Sequence, residues 1–341
     1  MQDSVVLKGL LAIAALACGL ALAAGFFGAE AHPFDSASHF RFQLALVLLV
    51  LALLALGLRA WGTLAVSLGF AALGLAFSLP WLLPREARPP AAGQPGYTLL
   101  QMNLLYDAPD KAEALRRIGE ARPDIVTVQE VTYEWQDLFQ NLSESYPFQT
   151  YCGLENERDG VAILSRRPFV GDALCQARNG RVTQLVDLNG RTLAVTSLHL
   201  DWPWPKHHWK QIDDMGASLR RDGGPSLLGG DFNAAPWSAA VRAVADAGGW
   251  RIVRGIGPSW LTVRFSQIWP RWLGLPIDQL LVSPEVLVDQ VETLARTSSD
   301  HLPVLLRFSL LPAPPAPTQS VAEPATAAFE DPDTKPAAGG A

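Results

Sequence analysis

Three apolar runs, Val5–Phe27, Leu44–Leu58 and Thr63–Leu83, fill most of the chain before residue 85. They restrict the fold more than any other feature. About 20 consecutive apolar residues span a bilayer as a helix, and these runs lack the polar stripe that a helix on the surface of a soluble protein carries. A buried helical bundle is the competing reading. Three membrane helices over residues 1–84 fit better. Arg59-Ala-Trp61-Gly makes the second and third runs a tight hairpin, and Trp61 and Trp81 stand where interfacial aromatics are expected. A signal peptide would have a shorter apolar core. Cys18 reads as membrane packing.

Loop charges do not orient the anchor. With a cytoplasmic N-terminus, Lys8 and Arg59 lie inside and Arg41, Arg85 and Arg88 outside. The acidic, His-bearing loop Glu30–His39 suits the outside. An odd number of spans then places the rest of the chain outside as well. The expected location is therefore the cytoplasmic membrane, multi-pass, with the following domain extracytoplasmic. Cys152 and Cys175 could pair there. There is no CxxC among the three cysteines, which argues against zinc or dithiol redox sites.

Residues 85–96 read as a Pro/Gly linker, 97–309 as one α/β domain and 310–341 as a disordered Pro/Ala-rich tail. The domain alternates strands and helices. Asp110-Lys-Ala-Glu113 is a capping-box helix start, and Asn189-Gly190 is a hairpin turn. Helices are expected over 208–221 and 238–247, and strands over 275–283 and 288–295. His207 and His208 read as part of a solvated loop. The strand centred on Ser226-Leu-Leu-Gly-Gly-Asp-Phe-Asn-Ala-Ala-Pro236 ends at a polar site. Alternation along a strand puts Asp231 and Asn233 on one side and turns Phe232 into the core. An Asx-turn is the plainer reading of the same residues.

Other strands end alike, so that Asn103, Glu130, His199, Asp231, Asn233, Asp278, Asp300 and His301 form a set. Each is weak alone. Together they offer hard oxygen ligands and two histidines, the donor chemistry of a Mg²⁺ site for phosphoryl transfer. Gln-Met-Asn103, Val-Gln-Glu130, Ser-Leu-His199-Leu, Gly-Gly-Asp231-Phe-Asn233, Ile-Asp278 and Ser-Asp300-His301 resemble, in order, the motifs of the endonuclease/exonuclease/phosphatase superfamily. The anchored layout resembles its membrane-bound, VanJ-type branch.

That resemblance implies a four-layer α/β sandwich, two packed sheets flanked by helices, preceded here by three transmembrane helices. It implies Mg²⁺ or Mn²⁺, with Glu130 as metal ligand and Asn103 and Asp300 as direct or water-mediated ligands. It gives Asp231 the attacking water, which Asn233 steadies. His199 would contact a non-bridging phosphate oxygen. His301 would contact phosphate or move a proton, and Asp278 would orient His301. The base stays open between Asp231 and His301.

For substrate, Asp201-Trp-Pro-Trp-Pro-Lys206 and Ile268-Trp-Pro-Arg-Trp-Leu-Gly-Leu275 flank the site with Trp, Pro and basic residues, a composition suited to lipid headgroups. Core and loop packing is the plainer alternative. The expectation is a phosphodiesterase or phosphatase acting on lipid-linked phosphate, with the bilayer as partner and no obligate protein partner. An extracytoplasmic nuclease, using Arg166-Arg167, Arg220-Arg221, Arg251, Arg254 and Arg264 on nucleic acid, is the alternative. The net charge of −6 argues against it. A non-catalytic binder of a cell-wall precursor or drug is the third reading.

Overall fold

The computed structural model describes residues 2–90, 93–155, 158, 160–220, 223–262 and 270–312. The expected tail from residue 313, and Arg221, Arg264, Ile268 and Trp269, lie outside the described residues.

The N-terminal part comprises α1 (Gln2–Ala24), α2 (His32–Ser38), α3 (Arg41–Gly57) and α4 (Trp61–Leu82). Helices α1 and α4 are long and apolar enough to cross a membrane, and the pair α2–α3 would make a third span only if taken together across its 63° bend. Leu22, Ala45, Leu48 and Ala71 form the inner seam. Ile13 and Leu53 face outward, each about two-thirds exposed, which for a helix in lipid is the satisfied state. Arg41 is buried at the start of α3. Its guanidinium donates to Gly25 O and lies 4.0 Å from the Phe26 ring centroid, covering a carbonyl left open just past the end of α1.

The α/β domain runs β1 (Gly96–Asn103), α5 (Lys111–Ala121), β2 (Ile125–Gln129), α6 (Tyr133–Phe139), β3 (Phe148–Cys152), β4 (Val161–Ser165), β5 (Phe169–Gln176), β6 (Arg181–Asp187), β7 (Thr192–His199), α7 (His208–Met215), β8 (Ser226–Asp231), α8 (Ala239–Gly248), β9 (Arg251–Ile252), β10 (Asp278–Val282), β11 (Val286–Thr293) and β12 (Val304–Leu310). Two six-stranded sheets result, ordered β11-β12-β1-β2-β4-β3 and β5-β6-β7-β8-β10-β9. Leu99, Ile163, Val195 and Leu280 pack between them. Ile118, Trp135 and Phe139 cover the outside of the first sheet, and Ile212, Val241 and Val244 that of the second. This is the expected four-layer sandwich. Strands β2, β4, β8 and β10 are buried throughout because both faces are covered.

Local chemistry sets the ends. The Asp110 side chain caps α5 by accepting from Ala112 N, and Arg122 closes it in the left-handed region. Asn189 and Gly190 both have positive φ, which a tight β6–β7 hairpin requires. Helix α7 is shorter than expected. It ends at Met215, with Gly216 at its C-cap, and a short 3₁₀ turn follows. Strand β10 starts at Asp278 rather than Leu275. Edge strands β3 and β5 belong to different sheets, and the Cys152–Cys175 disulfide joins them, with Cα atoms 5.5 Å apart.

His208 corrects an expectation. His207 is exposed, but His208 opens α7 and is 1% exposed, without a hydrogen-bond partner on either ring nitrogen among the described residues. Burial holds its pKa far below the ordinary histidine value, near 3, and the neighbouring His39 and His32 push the same way. It is a neutral packing group, not a loop residue in water.

The N-terminal helices and the domain form one compact unit. The Asp35 carboxylate accepts from Ala239 N at 2.6 Å and Ala240 N at 3.0 Å, and so supplies acceptors to the first turn of α8 from a residue 204 positions away. Trp237 Nε1 donates to Ser38 O, and Gly255 N to Trp81 O. Asp35→Ala is expected to destabilise the protein by about 1–3 kcal/mol, because two buried N–H groups lose their acceptor and the positive end of a helix loses a carboxylate. Thermal unfolding of the detergent-purified protein measures this. An unchanged midpoint would show that α8 does not depend on α2.

Candidate active site

Strand register gathers the polar ends at one edge of the sandwich. In the first sheet β1 and β2 are parallel with Asn103 opposite Gln129, so Glu130 emerges one residue further on. In the second, His199 stands opposite Asp231 across β7 and β8, and Asp231 opposite Asp278 across β8 and β10. Two glycines permit the close fit. A Cβ on Gly230 would sit 2.0 Å from Leu198 O, and one on Gly229 would sit 2.7 Å from Thr127 Oγ1 in the facing sheet. The first lets β8 lie close against β7 in its own sheet, and the second lets side chains of the two sheets meet across the seam.

The joining residue is Asn103. Its Nδ2 donates to Asp231 Oδ2 at 2.9 Å and to Glu130 Oε1 at 3.0 Å, while its Oδ1 accepts from Leu105 N. Glu130 has a φ of +58°, a left-handed conformation unfavourable for a side chain of this size, and its Oε2 accepts from Tyr106 N. Asp231 Oδ1 accepts from Asn233 N at 2.8 Å. The Asx-turn is therefore real, and it serves the site by fixing the carboxylate. Asn233, also at positive φ, donates through Nδ2 to Leu200 O, and Phe232 is fully buried as alternation requires.

His301 Nδ1 lies 2.8 Å from Asp278 Oδ2, and its Nε2 lies 3.5 Å from Asp231 Oδ2. His199 Nε2 stands 3.7 Å from the same Asp231 oxygen. Burial alone would make His301 a weaker base, but the charges of Asp278, Asp231 and Asp300 and the Asp278 hydrogen bond outweigh it and raise its pKa to about 10. Asp231 moves up to about 6, through burial first and the Asp278 charge second, against the pull of His301 and His199. The pair is thus a buried imidazolium beside a carboxylate poised close to neutrality.

All eight expected residues lie at this end of the sandwich, but not in equal roles. Asn103, Glu130 and Asp231 are bonded together, as are Asp278 and His301. Asp300 turns to Trp260, whose Nε1 donates to its Oδ2 at 2.8 Å, and acts on His301 as a neighbouring charge. Ligand atoms of Asp231, Asp278 and His301 fall within 4.8 Å of one another. Two of those three groups already satisfy each other. The Glu130 and Asp231 carboxylates, bridged here by Asn103 Nδ2, are hard oxygen donors of the kind Mg²⁺ or Mn²⁺ takes, so the residues present fit such an ion.

Sequence reasoning passed over a polar layer directly beneath. Gln101 Nε2 donates to Asp278 Oδ1 at 3.0 Å and to Gln129 Oε1 at 2.6 Å, and Gln129 Nε2 donates to Ser197 Oγ. All three are fully buried. The signal was available: Gln101 lies two residues before Asn103 on one strand and so shares its face. Trp260 was also missed. It links Asp300 to the rim, with the Trp202 ring edge-on at 5.9 Å.

Comparison with known proteins agrees with this geometry. A model of the "Endonuclease/Exonuclease/phosphatase family" matches residues 100–301. A "UPF0294 protein" of Vibrio vulnificus (strain CMCP6) is 29% identical over 140 residues, 39% of this chain and 45% of that protein. One from Yersinia enterocolitica is 28% identical over 169 residues, 49% of this chain and 56% of that protein. The chain spans about half the length of the curated relatives it matches. Among solved structures, an endonuclease/exonuclease/phosphatase from Beutenbergia cavernae superposes with a TM-score of 0.51 at 19% identity, covering 65% of this chain and 73% of its own. D. rerio TDP2 complexed with single-strand DNA product gives 0.51 at 16%, covering 62% and 98%. The human nocturnin catalytic domain with bound sulfate gives 0.50 at 19%, covering 64% and 95%. At these identities the structures establish the fold.

Proposed function

Because the chain belongs to the endonuclease/exonuclease/phosphatase family, we propose that it is a divalent-metal-dependent phosphoester hydrolase, held in a membrane by three spans and acting on lipid-linked phosphate. One observation carries the choice of substrate. Both tryptophan-bearing loops at the mouth of the site are tied to the N-terminal helices. Ser36 Oγ of α2 reaches Trp204 O at 3.5 Å, and Gln43 Nε2 in the first turn of α3 donates to Leu273 O and Gly274 O. Trp202, Trp204 and Trp272 are each more than half exposed. Exposed tryptophans fixed to the ends of membrane helices suit the headgroup layer. Trp202 continues inward to Trp260 and Asp300.

The chemistry follows from the contacts. A cation on Glu130 and Asn103 would supply Lewis-acid polarisation of a phosphoryl oxygen. His301 is flanked by two carboxylates that favour its protonated form, in which both ring nitrogens would donate. It binds a phosphate oxygen or protonates the leaving group. Asp231, whose carboxylate lies between the two histidines, is assigned as the acceptor for the proton of the attacking water. Asp278 holds the His301 ring, and Gln101 holds Asp278.

The described arginines give the nuclease reading little. Arg167 pairs with Asp124, ahead of the start of β2, and Arg251 stands opposite Val282, at the end of β10 away from Asp278. Both lie at the other end of the strands from the site. The disulfide and the acidic, His-bearing stretch Glu30–His39 support an extracytoplasmic domain.

Trp204→Ser with Trp272→Ser tests the reading. The pair is expected to reduce turnover of a lipid phosphate in vesicles by about tenfold or more, through KM, and to leave hydrolysis of soluble bis(p-nitrophenyl) phosphate within about twofold. Equal losses on both substrates would remove the case for a membrane substrate.

A further inference from the structure

A second polar cavity lies at the other end of the domain, where the chain leaves α4. It encloses about 270 Å³ and is lined by Arg85, Arg88, Arg251 and Arg254 together with Glu86 and Asp289. Four guanidinium groups against two carboxylates leave it positive in a chain that is acidic overall. It is separate from the active site. Arg251 pairs with Val282, four residues along β10 from Asp278, or about 14 Å at strand rise.

Its depth is set by α4. Trp81, in the last turn of that helix, lies under Arg254, whose Cζ is 4.4 Å from the ring centroid, and Trp81 O accepts from Gly255 N. A tryptophan closing an apolar helix marks the headgroup level. The arginines therefore sit where phosphodiester groups of a bilayer would lie. Among the described residues Arg251 commits one N–H, to Val286 O, which leaves its other donors for a ligand. A guanidinium is the side chain best shaped for a phosphate, because two parallel N–H groups meet two oxygens.

Asp289 adds specificity. It is 6% exposed, lines the cavity, and accepts from Ser309 through Oδ1, while Oδ2 is buried with no partner among the described residues. A buried carboxylate oxygen without a donor is costly. A ligand that brings hydroxyl hydrogens as well as a phosphate would satisfy it beside the arginines.

We propose that this cavity binds the headgroup of an anionic phospholipid that carries free hydroxyls, of the phosphatidylglycerol class, and so fixes the domain against the bilayer. The inference rests on the reading that α4 crosses a membrane and is independent of the hydrolase reading. The phosphate is taken by Arg85, Arg88, Arg251 and Arg254, and a headgroup hydroxyl donates to Asp289 Oδ2. No bond is made or broken.

The test is thermal unfolding of the full-length protein in neutral detergent with EDTA present, so that metal-dependent turnover does not intervene. Phosphatidylglycerol, phosphatidic acid, phosphatidylcholine, inorganic phosphate and glycerol phosphate are titrated separately. Phosphatidylglycerol is expected to raise the midpoint with at least tenfold higher apparent affinity than phosphatidylcholine, and less so as salt rises. Arg85→Ala with Arg254→Ala is expected to weaken that effect at least tenfold. Asp289→Asn is expected to narrow the preference for phosphatidylglycerol over phosphatidic acid. Equal stabilisation by both phospholipids, or an unaltered response in the arginine variant, would overturn the proposal. Equal stabilisation by inorganic phosphate or glycerol phosphate would overturn it in favour of a soluble anion site. Should the arginine variant fail to fold, the ranking of headgroups on the unsubstituted protein decides alone. Carbonate extraction of membranes reports separately on whether the helices are embedded.

Discussion

Asp231→Asn is expected to lower kcat/KM for phosphoester hydrolysis by roughly a hundred- to ten-thousand-fold, the range lost with a general base. Asn keeps the shape and its oxygen can still accept from Asn233 N, so the fold should persist with the Asn103 bond to the other oxygen lost. It cannot take a proton from water. The pH profile provides a second check. The Asp231 carboxyl is raised to about 6 by burial and by Asp278, so activity should fall as pH drops through that region, well above the usual carboxylate range. The sign is fixed by the role: a base works deprotonated, and the raised value moves the acid limb upward. A variant retaining more than a tenth of normal activity would return the role to His301.

Asp278→Asn has the second-largest expected effect, about a hundred- to ten-thousand-fold in kcat, by the same logic that makes a carboxylate necessary to orient a catalytic histidine. His301 Nδ1 is 2.8 Å from Asp278 Oδ2, and Gln101 fixes the other oxygen. An amide in its place can present N–H to the ring and select the wrong tautomer. It also removes the nearest of the charges that hold His301 protonated up to about 10. If the imidazolium is the working form, the alkaline limb of activity should move to lower pH in the variant. A loss of activity with an unmoved alkaline limb would assign Asp278 a packing role only. Gln101→Leu should shift the same limb by a smaller amount.

The two variants separate proton abstraction from phosphate contact, and their placement was largely readable in advance. Period-two alternation and abrupt polar ends identified β1, β2, β7 and β8 and the residues that close them, because a buried strand that stops at Asp or Asn leaves a strong local pattern. The disulfide partners were visible as cysteines near strand ends, though their spacing alone could not establish a bond.

What stayed hidden depends on contacts remote in sequence. Nothing local to His32–Ser38 says that Asp35 caps α8, since its partners lie some 200 residues on. His208 read as hydrated because adjacent histidines cannot both face one site in a regular strand or helix. Its burial arises only when α7 packs close to His39. Gln101 and Gln129 look like ordinary polar strand residues until the facing sheet supplies Asp278 and Ser197. Strand β5 lacks a clean alternation because it is an edge strand, mostly open to solvent.

These remote contacts alter the view of the N-terminal helices. A simple tether would leave the domain free. Here Asp35, Ser38 and Trp81 bond to α8, Trp237 and Gly255, so the segment following Asp231 and Asn233 is clamped by the helices themselves. A soluble fragment beginning near Gly96 would expose the first turn of α8 and the Trp237 indole.

The most direct measurement is release of phosphate or headgroup by the full-length, detergent-purified protein, with and without Mg²⁺ or Mn²⁺. Its substrates would be undecaprenyl pyrophosphate, common phospholipids, sphingomyelin and plasmid DNA, each run beside Glu130→Ala. Metal-dependent turnover of a lipid-linked phosphate that is lost in Glu130→Ala is the expected result. Turnover of DNA alone would contradict the account and assign the site to a nuclease, and turnover of none of them would leave a binding protein on the same fold.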